Sequence, residues 1–317
     1  MRIVFMGTPE FAVNSLQKII NAGHDVLLVI TKEDRPKGRG HRLEFSPVKY
    51  AAIENDLNIL QPKDLSDIQF VNTIKMLKPD VIVVVVYGKK LPRQILEIPQ
   101  YGCINIHPSL LPKYRGASPI HHAVLNGDKY TGVTIMRMDE GLDTGDILSV
   151  TEIGIEEKDT TGTLHDKLSI LGAELLVDTL TKIQNKMITR IKQNEEDATY
   201  TKIIDKTMGL INWHKKSYEL INFIRGLSPW PSAYTYYKEK MMKIWEAEKL
   251  NETYEKNKTG EIVGIKDNGF IVKTSDGSIL VTKIQMQDSK KMTTADYMRG
   301  NKIDIGEVLD ISDVGGI

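Results

Sequence analysis

Six consecutive β-branched residues, Val81-Ile82-Val83-Val84-Val85-Val86, leave this chain few architectures. Their side chains crowd a helix, and a run without polar alternation offers no face to water. Such a run suits a central parallel strand covered on both faces, which requires helices on either side of a sheet. The opening of the chain agrees. Arg2 to Met6 reads as an apolar strand, Gly7-Thr8-Pro9-Glu10 turns it into a helix, and Asp25 to Thr31 reads as the next strand. In that turn Thr8 is placed to cap, Pro9 suits the first helical position and Glu10 the positive helix end. Phe11, Leu16, Ile19 and Ile20 supply the apolar face of this helix, and Gly23 ends it. Helices over 46–55 and 71–77 and a short strand over 58–60 continue the alternation. The fold class predicted is therefore α/β, a doubly wound, mostly parallel sheet. One glycine stands where the dinucleotide fingerprint needs G-x-G-x-x-G, so no NAD is expected.

The residues that carry chemistry fall between Gly102 and Asp146. Cys103-Ile104-Asn105-Ile106-His107 reads as a strand stopped by Pro108, which cannot donate to a ladder. Side chains alternate along a strand, so Asn105 and His107 project from one face and Ile104 and Ile106 from the other. Ligands of open α/β sheets bind at the carboxyl ends of strands. A helix over 117–125 and a strand over 132–138 follow, and the latter delivers the loop Gly141-Leu142-Asp143-Thr144-Gly145-Asp146. An amide, an imidazole and a carboxylate on adjoining loops suit acyl transfer to an amine: donors meet the growing oxyanion and a carboxylate fixes the histidine. Each piece has a plainer reading as well, a turn or a hydrogen-bonded histidine. His121 and His122 lack metal-ligand spacing, so no metal is expected.

The whole string NIHPSLLPKYRG, followed by TGVTI and DEGLDTGDI, resembles the folate-dependent formyltransferases. The resemblance implies that Asn105, His107 and Asp143 are catalytic and that 10-formyltetrahydrofolate is the formyl donor. It further implies that Ser109, Leu110, Leu111 and Pro112, with Tyr87 and Gly88 at the end of the valine-rich strand, hold the folate. DRPKGRG, within residues 34–40, resembles an insertion found in the members of that family that act on methionyl-tRNA, where it approaches the acceptor stem. Arg35, Lys37, Arg39 and Arg42 of this glycine-rich basic loop are then candidates to grip phosphates, Arg39 foremost.

Length and texture divide the chain. At 317 residues it exceeds what one core usually fills. Thr160 or Thr161 caps a helix with apolar Leu164, Leu168, Leu171, Leu175 and Ile183; after residue 184 the sequence turns polar. The domains expected are 1–186 catalytic, 187–206 linker and 207–317 tRNA-binding. The last holds Ser228-Pro229-Trp230-Pro231 and alternating segments over 233–237, 242–250, 260–265, 269–274 and 278–286. Asn268-Gly269 and Asp276-Gly277 supply hairpin turns. Short strands at this density suggest a small OB-like β-barrel, and the SPWP motif resembles the C-terminal domain of the same family members. Residues 206–302 carry 17 Lys and Arg against 11 Asp and Glu, a modest excess that permits RNA contact. Lys206, Lys240 and Lys243 are candidate phosphate contacts, and Trp230, Tyr236, Tyr237 and Trp245 are candidates for base stacking or for core and turn packing.

One cysteine, Cys103, excludes an internal disulfide and fits a reducing compartment. Neither the start MRIVFMG nor the longest apolar run, 81–87, is long enough for a signal peptide or a membrane span. A cytoplasmic monomer without membrane association is expected, acting on initiator methionyl-tRNA with folate as co-substrate. The alternatives are formyl transfer to a small amine or an amino-sugar nucleotide, hydrolysis of the folate donor, or a non-catalytic RNA-binding protein.

Overall fold

The structure, a computed structural model, describes residues 1–37 and 42–309. Two compact units emerge. The first comprises Met1–Pro119, Tyr130–Gly154 and His165–Thr201; the second comprises Ile120–Lys129, Ile155–Leu164 and the chain from Lys202 onward.

In the first unit the elements follow in the order β1 (Arg2–Gly7), α1 (Val13–Asn21), β2 (Asp25–Ile30), β3 (Arg35–Lys37), β4 (Arg42–Glu44), α2 (Pro47–Glu54), β5 (Ile59–Leu60), α3 (Ile68–Leu77), β6 (Val81–Val85), α4 (Arg93–Leu96), β7 (Cys103–His107) and β8 (Arg115–Gly116). The helix α5 (Pro119–Leu125), which belongs to the second unit from Ile120, precedes β9 (Tyr130–Arg137) and β10 (Ile147–Gly154); α6 (Thr161–Gln184), in the first unit from His165, and β11 (Tyr200–Thr201) follow. Seven strands form one sheet in the order β10-β9-β7-β6-β1-β2-β5. The five from β7 to β5 run parallel, and β9 and β10 are antiparallel additions. Since β1 leads to β2 on one side and the chain returns as β6 on the other, the switch point lies between β1 and β6.

The valine-rich run sits where its composition demands. Every residue of β6 is buried, between β1 and β7. Val4, Met6, Ile82, Val84 and Cys103 pack with Phe70, Ile74 and Ile95 of α3 and α4 on one face. On the other, Gly172 of α6 lets the helix approach Ile106 and Val133 so closely that an added Cβ would lie 3.0 and 3.3 Å from them. Each fully buried aliphatic side chain contributes roughly 1.5–3 kcal/mol.

Several local expectations change. Thr8 does not cap: a 3-10 turn at Glu10–Ala12 precedes α1 with Pro9 at its N-cap, and the buried Thr8 hydroxyl has no partner among the described residues. The helix expected from 71 starts at Ile68, because the Asp67 carboxylate accepts from the amides of Gln69 and Phe70 at 2.9 Å each. Of the two threonines offered as cap for α6, Thr160 does it, its hydroxyl accepting from Thr163 N at 3.2 Å. The basic loop begins and ends in a hairpin, β3 with β4, and β10 was not anticipated at all. Within the expected linker 187–206, residues 187–201 pack on the first unit: Ile191 bridges Ile147 and β11 pairs with β8. The change of unit falls at 201/202.

The second unit is an antiparallel sheet domain. After α7 (Ser217–Gly226) come β12 (Ala233–Tyr237), β13 (Lys240–Leu250), β14 (Ile262–Lys266), β15 (Gly269–Lys273), β16 (Ser278–Met286), β17 (Met292–Thr293) and α8 (Thr294–Met298). Their order is β12-β13-β16-β15-β14, with β17 on β16. Trp213, Leu220 and Ile224 close a core with Ile244, Phe270, Val281 and Ile284. Among the described residues no helix is long and apolar enough to cross a membrane.

Candidate active site

The central antiparallel step, where β9 joins β7, builds the site. Ile104 and Ile106 are buried in the sheet's core, while Asn105 and His107 share the opposite face, as the period of a strand requires. His107 lies opposite Thr134 of β9 in the register. Asn105 is half-buried, and its side-chain amide is hydrogen-bonded to no described residue. It therefore presents an unspent donor.

His107 is fixed from both sides. Its Nε2 lies 2.9 Å from the carbonyl oxygen of Tyr114. A carbonyl only accepts, so this nitrogen carries the proton and the tautomer is assigned from its partner. The other nitrogen, Nδ1, lies 3.6 Å from Asp143 Oδ2, an electrostatic contact rather than a hydrogen bond. The same Oδ2 accepts from the Gly116 amide at 2.8 Å. Asp143 sits at φ +55°, a left-handed conformation that aspartate tolerates, in the loop between β9 and β10. Histidine and aspartate, 36 residues apart in sequence, thus meet as expected.

The strip between them is tightly folded. Ser109 and Leu111 are buried; the Ser109 hydroxyl donates to Lys113 O at 2.7 Å, and Leu111 packs with Met136 and Ile147. Thr134 Oγ1 accepts from Leu111 N at 3.1 Å and donates to Ser109 O at 2.7 Å, tying the turn to β9. Leu110 and Pro112 are half-buried. At the switch point, Val86 adopts φ +45°, rare for a β-branched residue, and points its side chain outward beside Tyr87. Tyr87 is buried, its hydroxyl has no partner among the described residues, and burial pushes its pKa up to about 12. Gly88 follows at φ +72°. Beyond it opens a cavity of about 420 Å³ lined by Lys63, Leu65, Lys89, Lys90, Arg93 and Glu140, among others.

Sequence reasoning missed the groups behind Asp143. The Gln193 side chain donates from Nε2 to the carbonyls of Asp143 and Gly145 at 2.8 and 2.7 Å. Its Oε1 accepts from Arg115 Nε at 3.0 Å, and the fully buried Arg115 is held by Glu195 through two contacts of 2.8 Å. Arg115 stands inside the recognised KYRG string; nothing marks Gln193 in its polar surroundings. Cys103 is buried in β7, its thiol pushed up to about 12 by burial, so it offers no thiolate. Among the described residues no group of three His, Cys, Asp or Glu is arranged to hold a metal.

The candidate tRNA contacts divide. Arg39 lies outside the described residues, as do the side chains of Arg35, Lys37 and Arg42. Lys206 and Lys240 are exposed and Lys243 half-buried, the last directly opposite Tyr234 on the outer face of β12 and β13. Tyr236 shares that face, at 6.1 Å from Tyr234 in an edge-to-face contact. Trp245 lies under the Lys291 ammonium, 4.0 Å from its ring centroid, and Trp230 is half exposed. Tyr237 is a core residue and its ring is unavailable to a base.

Comparison with known proteins converges on one group. The model of the formyl transferase family matches residues 1–180, and that of the formyl transferase C-terminal domain matches residues 203–302. A methionyl-tRNA formyltransferase of Acetivibrio thermocellus is 47% identical over 309 residues, covering 98% of this chain and 99% of that protein. Another, of Caldanaerobacter subterraneus subsp. tengcongensis, is 49% identical over 310 residues, covering 98% and 100%. In fold, the chain is similar to an N-formyltransferase from Helicobacter canadensis, solved with folinic acid and dTDP-3-aminofucose. There the TM-score is 0.67 at 23% identity, over 88% of this chain and 98% of that one. The two matched domains and the near full-length identity leave one conclusion: the chain belongs to the methionyl-tRNA formyltransferases of the formyl transferase family.

Proposed function

We propose that this protein transfers the formyl group of 10-formyltetrahydrofolate to the α-amino group of initiator methionyl-tRNA, giving N-formylmethionyl-tRNA for translation initiation. The observation that carries this reading is identity of 47% and 49% to methionyl-tRNA formyltransferases over 98% of the chain.

The site's own groups fit such a donor. A half-buried amide (Asn105) and a buried hydroxyl (Tyr87), neither hydrogen-bonded to a described residue, stand at the carboxyl edge of the sheet, where ligands of this architecture bind. Tyr87, Gly88, Leu110 and Pro112 are the proposed walls; Ser109 and Leu111 act by shaping the turn, because their side chains are buried in the protein. When bound, the folate supplies a formyl carbon already joined to a nitrogen leaving group.

Asn105 donates to the oxygen on which negative charge grows as the amine adds. His107 spends Nε2 on Tyr114 O, so Nδ1 is the atom that holds or passes a proton, and Asp143 stabilises the charge that the ring then carries. A free α-amino group titrates near ~7.7–8.0, so an appreciable fraction is neutral and nucleophilic at neutral pH. No redox step occurs, so nicotinamide has no role, and the charge is met by side chains without recourse to a metal.

The basic loop (Arg35, Lys37, Arg39, Arg42) and Lys206, Lys240 and Lys243 are proposed to hold tRNA phosphates. In this division, residues 1–186 with the packed segment 187–201 perform the chemistry, 202–206 link, and 207–317 hold tRNA. The protein is read as a cytoplasmic monomer.

The test offers the pure protein labelled 10-formyltetrahydrofolate with initiator methionyl-tRNA, free methionine or an amino-sugar nucleotide. Label is expected on methionyl-tRNA in strong preference to both small amines. Equal or preferred labelling of a small amine, or release of formate alone, overturns the reading. Arg39→Ala is expected to weaken tRNA use while sparing folate binding.

A further inference from the structure

We propose that Gln193 and Arg115 are positioning residues for formyl transfer: one side-chain amide, aimed by a buried guanidinium, holds the backbone of the Asp143 loop and so sets where its carboxylate meets His107. The inference rests on the roles given to His107 and Asp143 above.

The loop carrying Asp143 is weakly determined by its own neighbourhood. Residues 139–142 are exposed, and the loop's internal bonds are those of the Asp139 carboxylate, which accepts from Gly141 N at 2.9 Å and Thr144 Oγ1 at 2.7 Å. Across the loop's other side lies Gln193, 5% exposed and 50 residues away in sequence from Asp143. Both of its amide hydrogens are engaged, on Asp143 O at 2.8 Å and Gly145 O at 2.7 Å, and its oxygen accepts from Arg115 Nε at 3.0 Å. This pattern fixes the amide's orientation, since the donor face meets two acceptors and the acceptor face meets a cation.

Arg115 cannot shift to accommodate a different arrangement. Its guanidinium is fully buried, forked onto Glu195 at 2.8 Å twice and onto the Tyr200 hydroxyl at 2.9 Å, and its amide donates to Thr199 O at 2.8 Å. The next residue closes the ring: Gly116 N donates to Asp143 Oδ2 at 2.8 Å. Asp143 is thus gripped twice by one dipeptide, at its carboxylate through the Gly116 amide and at its carbonyl through the Arg115–Gln193 relay. Only Arg115 is buried, and an ion pair whose carboxylate is exposed to water adds little stability. Fixing a loop is the use to which this geometry lends itself.

Gln193→Glu separates positioning from mere support. It keeps the volume and an acceptor for Arg115, but turns an oxygen toward two carbonyls where two donors had been. Gln193→Ala removes both functions and serves if Gln193→Glu does not fold. With wild-type enzyme as reference, kcat for formylation of methionyl-tRNA is expected to fall ~10²-fold in Gln193→Glu, the cost of an ångström-scale misplacement. KM for tRNA and folate should stay within about threefold, since Gln193 is buried and its amide is spent on protein groups. Independently of activity, hydrogen exchange at the Gly116 amide should accelerate in both variants while the amides of β6 and β7 keep their protection. The proposal is overturned if a folded Gln193→Glu keeps wild-type kcat, or if Gly116 exchange is unchanged in the variants. Should wild-type protein not formylate methionyl-tRNA, the functional reading fails, and the exchange result alone decides whether Gln193 holds the loop.

Discussion

Gly145→Ala is the mildest change that moves the Asp143 loop. A Cβ at this position would lie 1.8 Å from the carbonyl oxygen of Arg137 and 2.8 Å from its carbonyl carbon, where 3.0 Å is the floor for real contacts. Arg137 cannot give way easily: it ends β9, is paired with Ile104 of β7, and its amide donates to Asp146 O at 2.8 Å. The loop must therefore move, and raising 1.8 Å to 3.0 Å displaces it by about 1.2 Å. That movement strains the 2.7 Å bond from Gln193 to Gly145 O and lengthens the 3.6 Å contact between His107 and Asp143. Misplacement of about 1 Å costs ~10²-fold in rate, equivalent to about 2.7 kcal/mol in the barrier. The assay is single-turnover formyl transfer with both substrates saturating, beside thermal unfolding. Gly154→Ala is the control, because an added Cβ there meets nothing within 4 Å. A Gly145→Ala enzyme within about threefold of wild type in rate would refute the claim that this loop's position limits the chemistry.

Other consequences are checked more briefly. Asn105→Ala, which removes the unspent donor, should lower kcat about 10²–10³-fold with thermal stability retained; a change confined to KM would remove Asn105 from the transition state. Cys103, buried and with its thiol pushed up to about 12, should resist iodoacetamide in the native protein and react only on unfolding, as mass spectrometry reads out. Asp34 accepts from Lys49 Nζ at 2.5 Å and from Gln61 Nε2 at 2.9 Å, and these bonds hold its carboxyl below the usual range. A depressed folded pKa stabilises above the unfolded value and ceases to as pH falls through the folded one. Asp34→Asn should therefore cost about 1 kcal/mol at pH 7, below the ~1.5–3 kcal/mol of a fully buried charge-assisted bond because the pair keeps some solvent contact. The deficit should shrink as urea denaturation is repeated toward pH 3. Phe270→Ala, in the core of the second unit, should cost about 3–5 kcal/mol by the same denaturation.

What the sequence revealed and what it withheld follow from how local each signal is. The run at 81–86 has one comfortable environment, and Val81–Val85 take it as β6 while Val86 turns outward. The alternation in CINIH likewise assigns Asn105 and His107 to one face whatever their neighbours turn out to be. Phase was harder where polar and apolar characters mix. In AYTYY every second residue faces inward, Ala233, Thr235 and Tyr237, so Tyr237 joined the core although its composition equally allowed stacking on a base. Gln193 was invisible for a different reason. Nothing in QNEED announces an amide that holds a loop 50 residues earlier, because its partners are backbone carbonyls, and carbonyls have no sequence. The segment 187–206 looked like a tether because it is polar, yet as far as residue 201 it packs on the first unit, through Gln193, Glu195 and Thr199.

The central claim is that His107 and Asp143 act on formyl transfer as one unit. A double-mutant cycle tests it most directly, with kcat/KM for methionyl-tRNA measured for wild type, His107→Ala, Asp143→Ala and the double variant, each confirmed as folded. If the pair works as one, the double variant is no slower than the worse single one. Additive losses, each variant subtracting its own share, would mean that the 3.6 Å contact between them has no part in the reaction.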